Sequence, residues 1–342
     1  MEDKIQKALK GYQLKVYNIH RARGAYLLET DCGLKHFKCF EGSVGRARFE
    51  HRVKEHLLQQ GYYNTDLFVK TREGDIIYMD PTNNPYIMKN WFWGEGCNLN
   101  DLGEVKRASV NLAQIHLILT NVDLTQEQLE FNDPKDLCEM FEKRNREIRR
   151  VRRNIWNKKQ KNEFERLFLN YYEDFYGEGT MALEMIRKTK YKELLSEAIK
   201  ERKVCHGKYT YHNIIMLKNK TDKSTVFDRG IGTTNFNRAY VGIQMSDLYQ
   251  FIRKVMEKND WNVDYGMSII EEYKAVKDIS KDELEVLYLL LLFPEKFWKV
   301  TNYYFNSNKS WLSRRNIQKL NKVGEQQAKR KAFLALFKKE FL

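Results

Sequence analysis

The order of secondary structure predicted for the first 90 residues constrains this chain more than any other feature. A helix pattern at 46–61 separates three strand patterns from two later strands that flank the turn PTNN (81–84). Alternating apolar residues and short charged or Gly-containing turns predict that the first three strands are antiparallel. These three strands are YQLKVYNI (12–19), GAYLLET (24–30) and LKHFKCF (34–40).

The pattern changes to long helical periodicities after residue 91. Apolar residues recur at helical spacing in several segments, namely 104–119, 137–155, 162–176, 181–200 and 246–258. We therefore predict an α+β, bilobal architecture with a hinge near 88–94. Residues 1–90 would form a small mixed N-terminal lobe, and residues 91–342 a large helical lobe with an embedded hairpin at 204–237.

Composition indicates a folded chain without a membrane span. Of 342 residues, 42% are hydrophobic and only four are proline, so a substantial core can form. Residues 1–20 contain no apolar signal-peptide core, and the run VLYLLLLF (286–293) is too short to cross a bilayer. It is instead typical of a buried helix. Five cysteines without CxxC spacing argue against zinc and disulfides, and favour a reducing compartment during synthesis.

The net charge of +14 is concentrated at 143–161 and in the C-terminal helices. Such clusters can bind polyanions, but they are also typical of the solvated faces of amphipathic helices. No helix-turn-helix pattern, zinc spacing or aromatic platform accompanies them, so the sequence argues against nucleic acid as the partner.

The stretch VCHGKYTYHNIIML (204–217) has the spacing of a phosphoryl-transfer loop. Such loops use an aspartate to accept the proton of the attacking hydroxyl and an asparagine to hold magnesium. Asn213 stands at the asparagine position, whereas Lys208 stands where the aspartate is needed. A lysine with an ordinary pKa near 10.4 is protonated at neutral pH and cannot accept a proton.

Phosphoryl transfer also uses a strand lysine, held by a helix glutamate, to bind the nucleotide phosphates. Lys38 in the third predicted strand is the candidate lysine. Glu50 and Glu55 on the following helix could each pair with it, and we favour Glu50.

Together these segments resemble the aminoglycoside phosphotransferase-like kinase fold, and within it the spore coat protein S family. The resemblance covers nearly the whole chain. Its most specific parts are the loop CHGKYTYHN and the later segment FPEKFWKVTNYYFNS. Four further segments also match, namely LKHFKCF, YIMKNWFWGEG, LAQIH and SDLYQFIRK.

The resemblance implies roles for individual residues. Lys38 matches the nucleotide-phosphate lysine, and the segment from Met88 to Trp91 matches the adenine-contacting hinge. Asn213 matches the metal-binding asparagine, and Asp247 the aspartate that anchors a helix below the site.

Two departures from the family pattern remove carboxylates from the site. Lys208 replaces the catalytic aspartate, and the second metal-binding aspartate has two possible registers. In one register Asp228 fills that position, and in the other Asn235 replaces it. We prefer Asn235 because Asn237 then precedes Asp247 by ten residues.

These departures predict a degenerate kinase site. Lys208 could contact a nucleotide phosphate, pair with Asp228 or another carboxylate, or point to solvent. No metal site is expected, ATP remains open as a ligand, and magnesium is disfavoured.

We therefore expect a non-catalytic protein of the spore coat, made in the mother-cell cytoplasm, with other coat proteins as partners. The alternatives are an active small-molecule or sugar kinase and a nucleotide-binding adaptor without turnover.

Overall fold

The computed structural model of the chain describes residues 2–22, 24–132, 134, 136–218, 230–306 and 314–342. Asp228, the alternative metal-binding residue, lies outside these ranges.

The N-terminal part of the chain is rich in strands, as predicted. Its elements, in chain order, are α1 (Glu2–Leu9), β1 (Val16–Ala22), β2 (Ala25–Thr30), β3 (Gly33–Cys39), α2 (Val44–Gln59), β4 (Tyr78–Met79), β5 (Pro85–Asn90) and β6 (Gly94–Gly96). Strands β1 to β5 form an antiparallel sheet in the order β1-β2-β3-β5-β4. The sequence analysis did not predict α1.

The rest of the chain is mostly helical. Its helices are α3 (Leu102–Ile118), α4 (Gln126–Leu129), α5 (Leu137–Trp156), α6 (Glu163–Ile186), α7 (Tyr191–Lys200), α8 (Met245–Lys258), α9 (Val263–Lys274), α10 (Lys281–Leu292), α11 (Glu295–Asn306), α12 (Arg314–Glu325) and α13 (Gln327–Phe341). Four short strands lie between α7 and α8, namely β7 (Val204–Cys205), β8 (Ile214–Leu217), β9 (Ile231–Thr233) and β10 (Tyr240–Val241). Strand β8 pairs with β6 and β9, and β7 pairs with β10.

The chain divides into two compact units. The first comprises Met1–Asp133, Ala198–Asp247 and Glu272–Lys277, and the second Pro134–Glu197, Leu248–Glu271 and Asp278–Leu342. The lobe boundary that the sequence suggests at residue 90 is a different division, and it stays a prediction. In the part of the chain that the structure describes, no helix is long and apolar enough to cross a membrane.

The pairing of β3 with β5 determines which side chains share a face of the sheet. Phe37 lies opposite Met88, and both are fully buried in a core with residues of α1. Lys38 lies opposite Ile87, which packs with α2 on the other face. Because side chains alternate along a strand, Lys89 lies on that second face too. The sheet thus directs two lysines toward α2.

The structure corrects one predicted boundary between two helices. The sequence predicts helices at 162–176 and 181–200, but the observed helices begin and end elsewhere. Helix α6 runs unbroken from Glu163 to Ile186 through two glycines. A Cβ atom at Gly179 would lie 2.4 Å from Asn145 Oδ1, and Asn145 donates a hydrogen bond to the Gly179 carbonyl (2.8 Å). Gly179 therefore allows α5 to approach closely and does not end the helix.

The core of the second unit depends on stacked aromatic rings. The ring of Phe297, in the segment FPEKFW, lies 5.3 Å from that of Phe168 and 4.6 Å from that of Phe175. All three side chains are buried. Such pairs add directional ring contacts to the burial of apolar surface.

Replacement of Phe297 by alanine should therefore destabilise the protein by about 3–5 kcal/mol, because it removes a buried ring and leaves a cavity. Denaturant unfolding measures this change. Tyr303→Ala, on the same helix but at a side chain that is 55% exposed, is the matched control and should cost about 0.5 kcal/mol or less. Equal effects of the two variants would contradict the packing described here.

Candidate functional site

Asp247 fixes the backbone of the loop that follows β7. Its carboxylate is fully buried and accepts the backbone N–H of His206 on Oδ2 (2.5 Å) and that of Gly207 on Oδ1 (2.8 Å). His116 Nε2 lies 3.3 Å from Oδ2, and His116 is itself buried. Asp247 therefore anchors this loop, in line with the role that the family resemblance implies.

Gly207 occupies a position that only glycine suits. Its φ of +76° lies in the left-handed region, and a Cβ atom there would lie 1.9 Å from the Arg238 carbonyl oxygen. Any side chain would push the loop away from the segment after β9.

His206 is held as a neutral ring. Its Nε2 donates to the Thr234 carbonyl (3.0 Å), and its Nδ1 accepts the backbone N–H of Lys208 (3.2 Å). One donor and one acceptor match the two nitrogens of a neutral imidazole. Burial lowers the pKa of His206, although Asp247 opposes that effect. This histidine serves to shape the loop.

Lys208, Asn213 and Asn235 lie next to one another. Asn213 Nδ2 donates to the Lys208 carbonyl (2.9 Å), and Asn213 Oδ1 accepts from Asn235 Nδ2 (3.3 Å). The Lys208 side chain is exposed. Its pairing with Asp228, its contact with a nucleotide phosphate and its orientation toward solvent all remain open predictions, because Asp228 lies outside the described residues.

Asn235 takes the place next to Asn213 in an unusual backbone conformation. Its φ is +68°, which asparagine tolerates better than most residues. Its backbone N–H donates to Asp66 Oδ1 (3.1 Å). The assignment of Asn235 to the metal position remains a prediction, since Asp228 lies outside the described residues.

Beside this loop lies a group of four buried charges, which we call the charge cluster: Glu50, Lys54, Asp66 and Lys89. Glu50 Oε1 lies 2.6 Å from both Lys54 Nζ and Lys89 Nζ. Lys54 Nζ also lies 2.7 Å from Asp66 Oδ1, and Lys89 Nζ lies 3.7 Å from Asp66 Oδ2. The cluster joins α2, β5 and the loop that contains Asp66.

The charge cluster balances two cations with two anions in an interior with little water. All four residues are at most 6% exposed. Burial by itself would raise the pKa of Glu50, but Lys54 and Lys89 hold it well below its usual value. Burial would lower the pKa of Lys89, but Glu50 and Asp66 raise it above its usual value. The partners of Glu50 and Lys89 thus favour their charged forms, whereas burial lowers the pKa of Lys54 although Asp66 and Glu50 oppose that effect.

The structure corrects the predicted pair of Lys38 with Glu50, since both Glu50 contacts go to Lys54 and Lys89. Lys38 is half-buried on the same face of the sheet and forms no ion pair or hydrogen bond with any described residue. Burial, followed by the charge of Lys89, lowers the pKa of Lys38, and the charges of Glu50, Asp66 and Glu41 oppose that effect. The alternative Glu55 pairs with His51 instead (3.2 Å).

The side chains of the predicted adenine-contacting hinge do not all lie on one face of the sheet, because side chains alternate along β5. The Met88 side chain is fully buried with Phe37 on the sheet face opposite to Lys89, so this side chain does not line the site. Trp91 is half-buried, and its ring stacks on His36 at 4.8 Å. Burial, Lys38 and Lys89 lower the pKa of His36 to about 4. Nucleotide binding by Met88 or Trp91 remains a prediction.

Sequence analysis missed three members of the charge cluster. Lys54 follows Glu50 by four residues, a spacing that permits an ion pair on a helix and that could have identified it. Lys89 lies within the predicted hinge, but the sequence does not indicate its partner. Asp66 lies in a loop without any motif.

These elements form the fold of aminoglycoside phosphotransferase-like kinases, which confirms the predicted fold class. The crystal structure of an aminoglycoside phosphotransferase from Alicyclobacillus acidocaldarius matches with a TM-score of 0.85 and 18% identity, over 98% of this chain and 96% of that one. A spectinomycin phosphotransferase in complex with ADP and spectinomycin matches with a TM-score of 0.65 and 12% identity, over 96% and 98%. At these identities the likeness shows the fold alone.

The chain belongs to the family described as "Spore coat putative kinase YutH", which matches residues 10–337. Spore coat protein S of Bacillus subtilis (strain 168) is 22% identical over 150 residues, or 43% of this chain. That match spans only 40% of the curated relative. The predicted resemblance to spore coat proteins is thereby confirmed.

Phosphoryl transfer by kinases of this fold uses a magnesium ion. The described residues are not arranged to bind one. No group of three or more His, Cys, Asp or Glu side chains in the described ranges is arranged to hold a metal. Asn213 uses its side-chain oxygen for Asn235, and Asp66 and Asp247 accept backbone N–H groups. Magnesium prefers carboxylate oxygens, and here the position after Gly207 carries an ammonium group.

Removal of Lys54 tests the charge cluster. Lys54→Met should lower the free energy of unfolding by about 3–5 kcal/mol, because two buried carboxylates lose a shared cation. Denaturant unfolding measures this loss.

Lys190→Met is the matched control, since Lys190 forms an ion pair with Asp282 at the surface. It should cost about 1 kcal/mol or less. A cost for Lys54→Met no larger than that of the control would show that the cluster does not stabilise the fold.

Proposed function

We propose that this chain is a non-catalytic kinase-fold protein that acts in the spore coat by binding rather than by turnover. Its membership of a spore coat family supports the setting. The observation that carries the proposal is the exposed Lys208 at the position where a kinase needs its carboxylate.

The chemistry of the loop supports the absence of phosphoryl transfer. A carboxylate must orient the acceptor hydroxyl and take its proton, whereas an ammonium group has no lone pair for a proton. Asp247 accepts the backbone N–H groups of His206 and Gly207, and Asp66 accepts that of Asn235. Both carboxylates are buried. Neither is available as a base.

A binding role in coat assembly is consistent with the exposed aromatic side chains. Tyr17, Trp156 and Tyr303 are each more than half exposed, and aromatic residues often supply the main contacts of protein interfaces. We propose other coat proteins as partners. The protein would be made in the mother-cell cytoplasm and then be recruited to the coat.

A turnover assay tests the catalytic part of the proposal. Purified protein with ATP, Mg²⁺ and a panel of aminoglycoside, spectinomycin and sugar acceptors should release ADP no faster than a protein-free blank. The spectinomycin phosphotransferase of the same fold serves as the positive control. ADP release that Asp228→Ala abolishes would establish the rival function of an active small-molecule kinase.

Fluorescence imaging tests whether the protein is located in the spore coat. A fluorescent fusion should be absent from vegetative cells and should accumulate at the surface of the developing spore. The fluorescent protein alone, under the same promoter, should stay diffuse. A fusion that fills the vegetative cytosol without dependence on sporulation would contradict the coat assignment.

A further inference from the structure

One side of helix α5 carries a dense group of cations, which we call the basic face: Lys143, Arg146, Arg149, Arg150 and Arg153. All five residues are exposed. Their spacings of three and four residues place them on one side of the helix. The opposite side of α5, with Ile148, Val151 and Ile155, is buried in the core of the second unit.

Most charges of the basic face lack an anion in the described part of the chain. Arg146 pairs with Glu142, with 3.3 Å between Arg146 Nη1 and Glu142 Oε1. The other four residues form no ion pair with any described residue. Like charges three and four residues apart on a helix repel one another and destabilise it. A partner that supplies anions would relieve this repulsion.

A large aromatic side chain lies at the end of the basic face. Trp156 is 64% exposed, the largest fraction among the large hydrophobic side chains that the structure describes. The Arg152 guanidinium lies 5.2 Å from the centre of the Trp156 ring and 5.0 Å from that of Tyr172 on α6. Arg152 also pairs with Glu173 (3.5 Å). These contacts connect the exposed ring to α6 and restrain it beside the cations.

The residue types of this surface favour a protein partner. Tryptophan and arginine are enriched among the residues that dominate the binding energy of protein interfaces. The planar guanidinium of arginine also matches a carboxylate through two parallel hydrogen bonds. A restrained ring loses little conformational entropy on binding. An acidic segment of another protein would satisfy both the arginines and the tryptophan.

Three other occupants fit less well. Glu139 and Glu142 lie on the same side of α5 before Arg146, and they would repel a nucleic-acid backbone that runs along the helix. The apolar side of α5 is buried, so this helix cannot enter a bilayer as a free amphipathic helix does. A second copy of the chain is disfavoured because each copy carries a net charge of +14.

We propose that the basic face and Trp156 form a docking surface for an acidic segment of a partner protein in the coat. The partner supplies carboxylates to the arginines and an apolar side chain to Trp156. The inference rests on the proposed binding role and deepens it, because it names one surface and the chemistry of its partner. Lys208 takes no part in this surface, so docking does not depend on the chemistry of the kinase-like loop.

The direct test is fluorescence anisotropy of the whole chain with a labelled glutamate-rich peptide that contains one central leucine. The surface from Lys143 to Trp156 is about 20 Å long, so an extended peptide of about ten residues covers it. This peptide should bind at least about tenfold more tightly than the same peptide with glutamine in place of glutamate, and binding should weaken as salt rises. Equal affinities for the two peptides would overturn the inference.

A double variant tests whether the basic face makes the contacts. Arg149→Gln combined with Arg153→Gln should weaken binding of the acidic peptide about tenfold. The matched control combines Arg21→Gln on β1 with Arg315→Gln on α12, both at exposed arginines. It removes the same net charge and should change the affinity less than about twofold. Equal effects of the two double variants would show that binding depends on net charge alone and would overturn the site.

A variant of Trp156 tests the apolar part of the contact. Trp156→Ala should weaken binding of the acidic peptide about tenfold, because the side chain at the end of the surface is lost. Unchanged binding would remove Trp156 from the surface and refute that part of the proposal. Circular dichroism shows whether each variant is folded, and Arg150→Gln replaces the double variant if that variant fails to fold.

Two further probes distinguish the class of partner. A single-stranded RNA with about the same charge as the peptide and vesicles of phosphatidylglycerol should both bind more weakly than the acidic peptide. Tighter binding of either probe, lost in the variant of Arg149 and Arg153, would assign the surface to nucleic acid or to membrane and would refute an acidic protein segment.

The outcomes separate this inference from the proposed function. Peptide binding that depends on the basic face, together with ATP turnover, would support the docking surface and refute the non-catalytic role. Absence of peptide binding, together with absence of turnover and accumulation at the spore surface, would refute the docking surface and leave the proposed function in place.

Discussion

The buried balance of charge among Glu50, Lys54, Asp66 and Lys89 determines how the rest of the site is arranged. Each of these ions would be expensive to bury alone, and each is stable because two opposite charges lie within reach. The cluster places α2 against the sheet. Through Asp66 it also holds the backbone of Asn235. Loss of one member would leave two opposite charges with a single partner each.

The same cluster sets the electrostatic surroundings of Lys38. Glu50 forms its ion pairs with Lys54 and Lys89, and the pKa of Lys38 is lowered by burial and by Lys89, against the opposing charges of Glu50, Asp66 and Glu41. Lys208 stands where the related kinase pattern has its catalytic carboxylate, whereas the assignment of Asn235 to the second carboxylate position remains a prediction.

The sequence alone predicts the helices and strands, but it does not identify which charged residues form ion pairs with one another. Alternation and turn residues located β2, β3 and α2 to within a few residues. Lys208, Asn213 and Asn235, which the sequence singles out, are joined by hydrogen bonds through Asn213. The partner of Glu50 was predicted wrongly because a helix periodicity does not specify which of several nearby lysines closes an ion pair. The sequence also does not indicate which face of β5 the Met88 side chain takes, because a shift of one residue in a strand reverses the face.

The anchoring of the loop by Asp247 has an evolutionary consequence. The groups that shape the loop are the Asp247 carboxylate, the neutral ring of His206 and the missing side chain of Gly207. None of them includes the side chain at position 208, which points outward. The requirements of folding therefore constrain His206, Gly207 and Asp247 and leave the side chain at position 208 unconstrained, so the residue there can change in evolution while the loop keeps its shape.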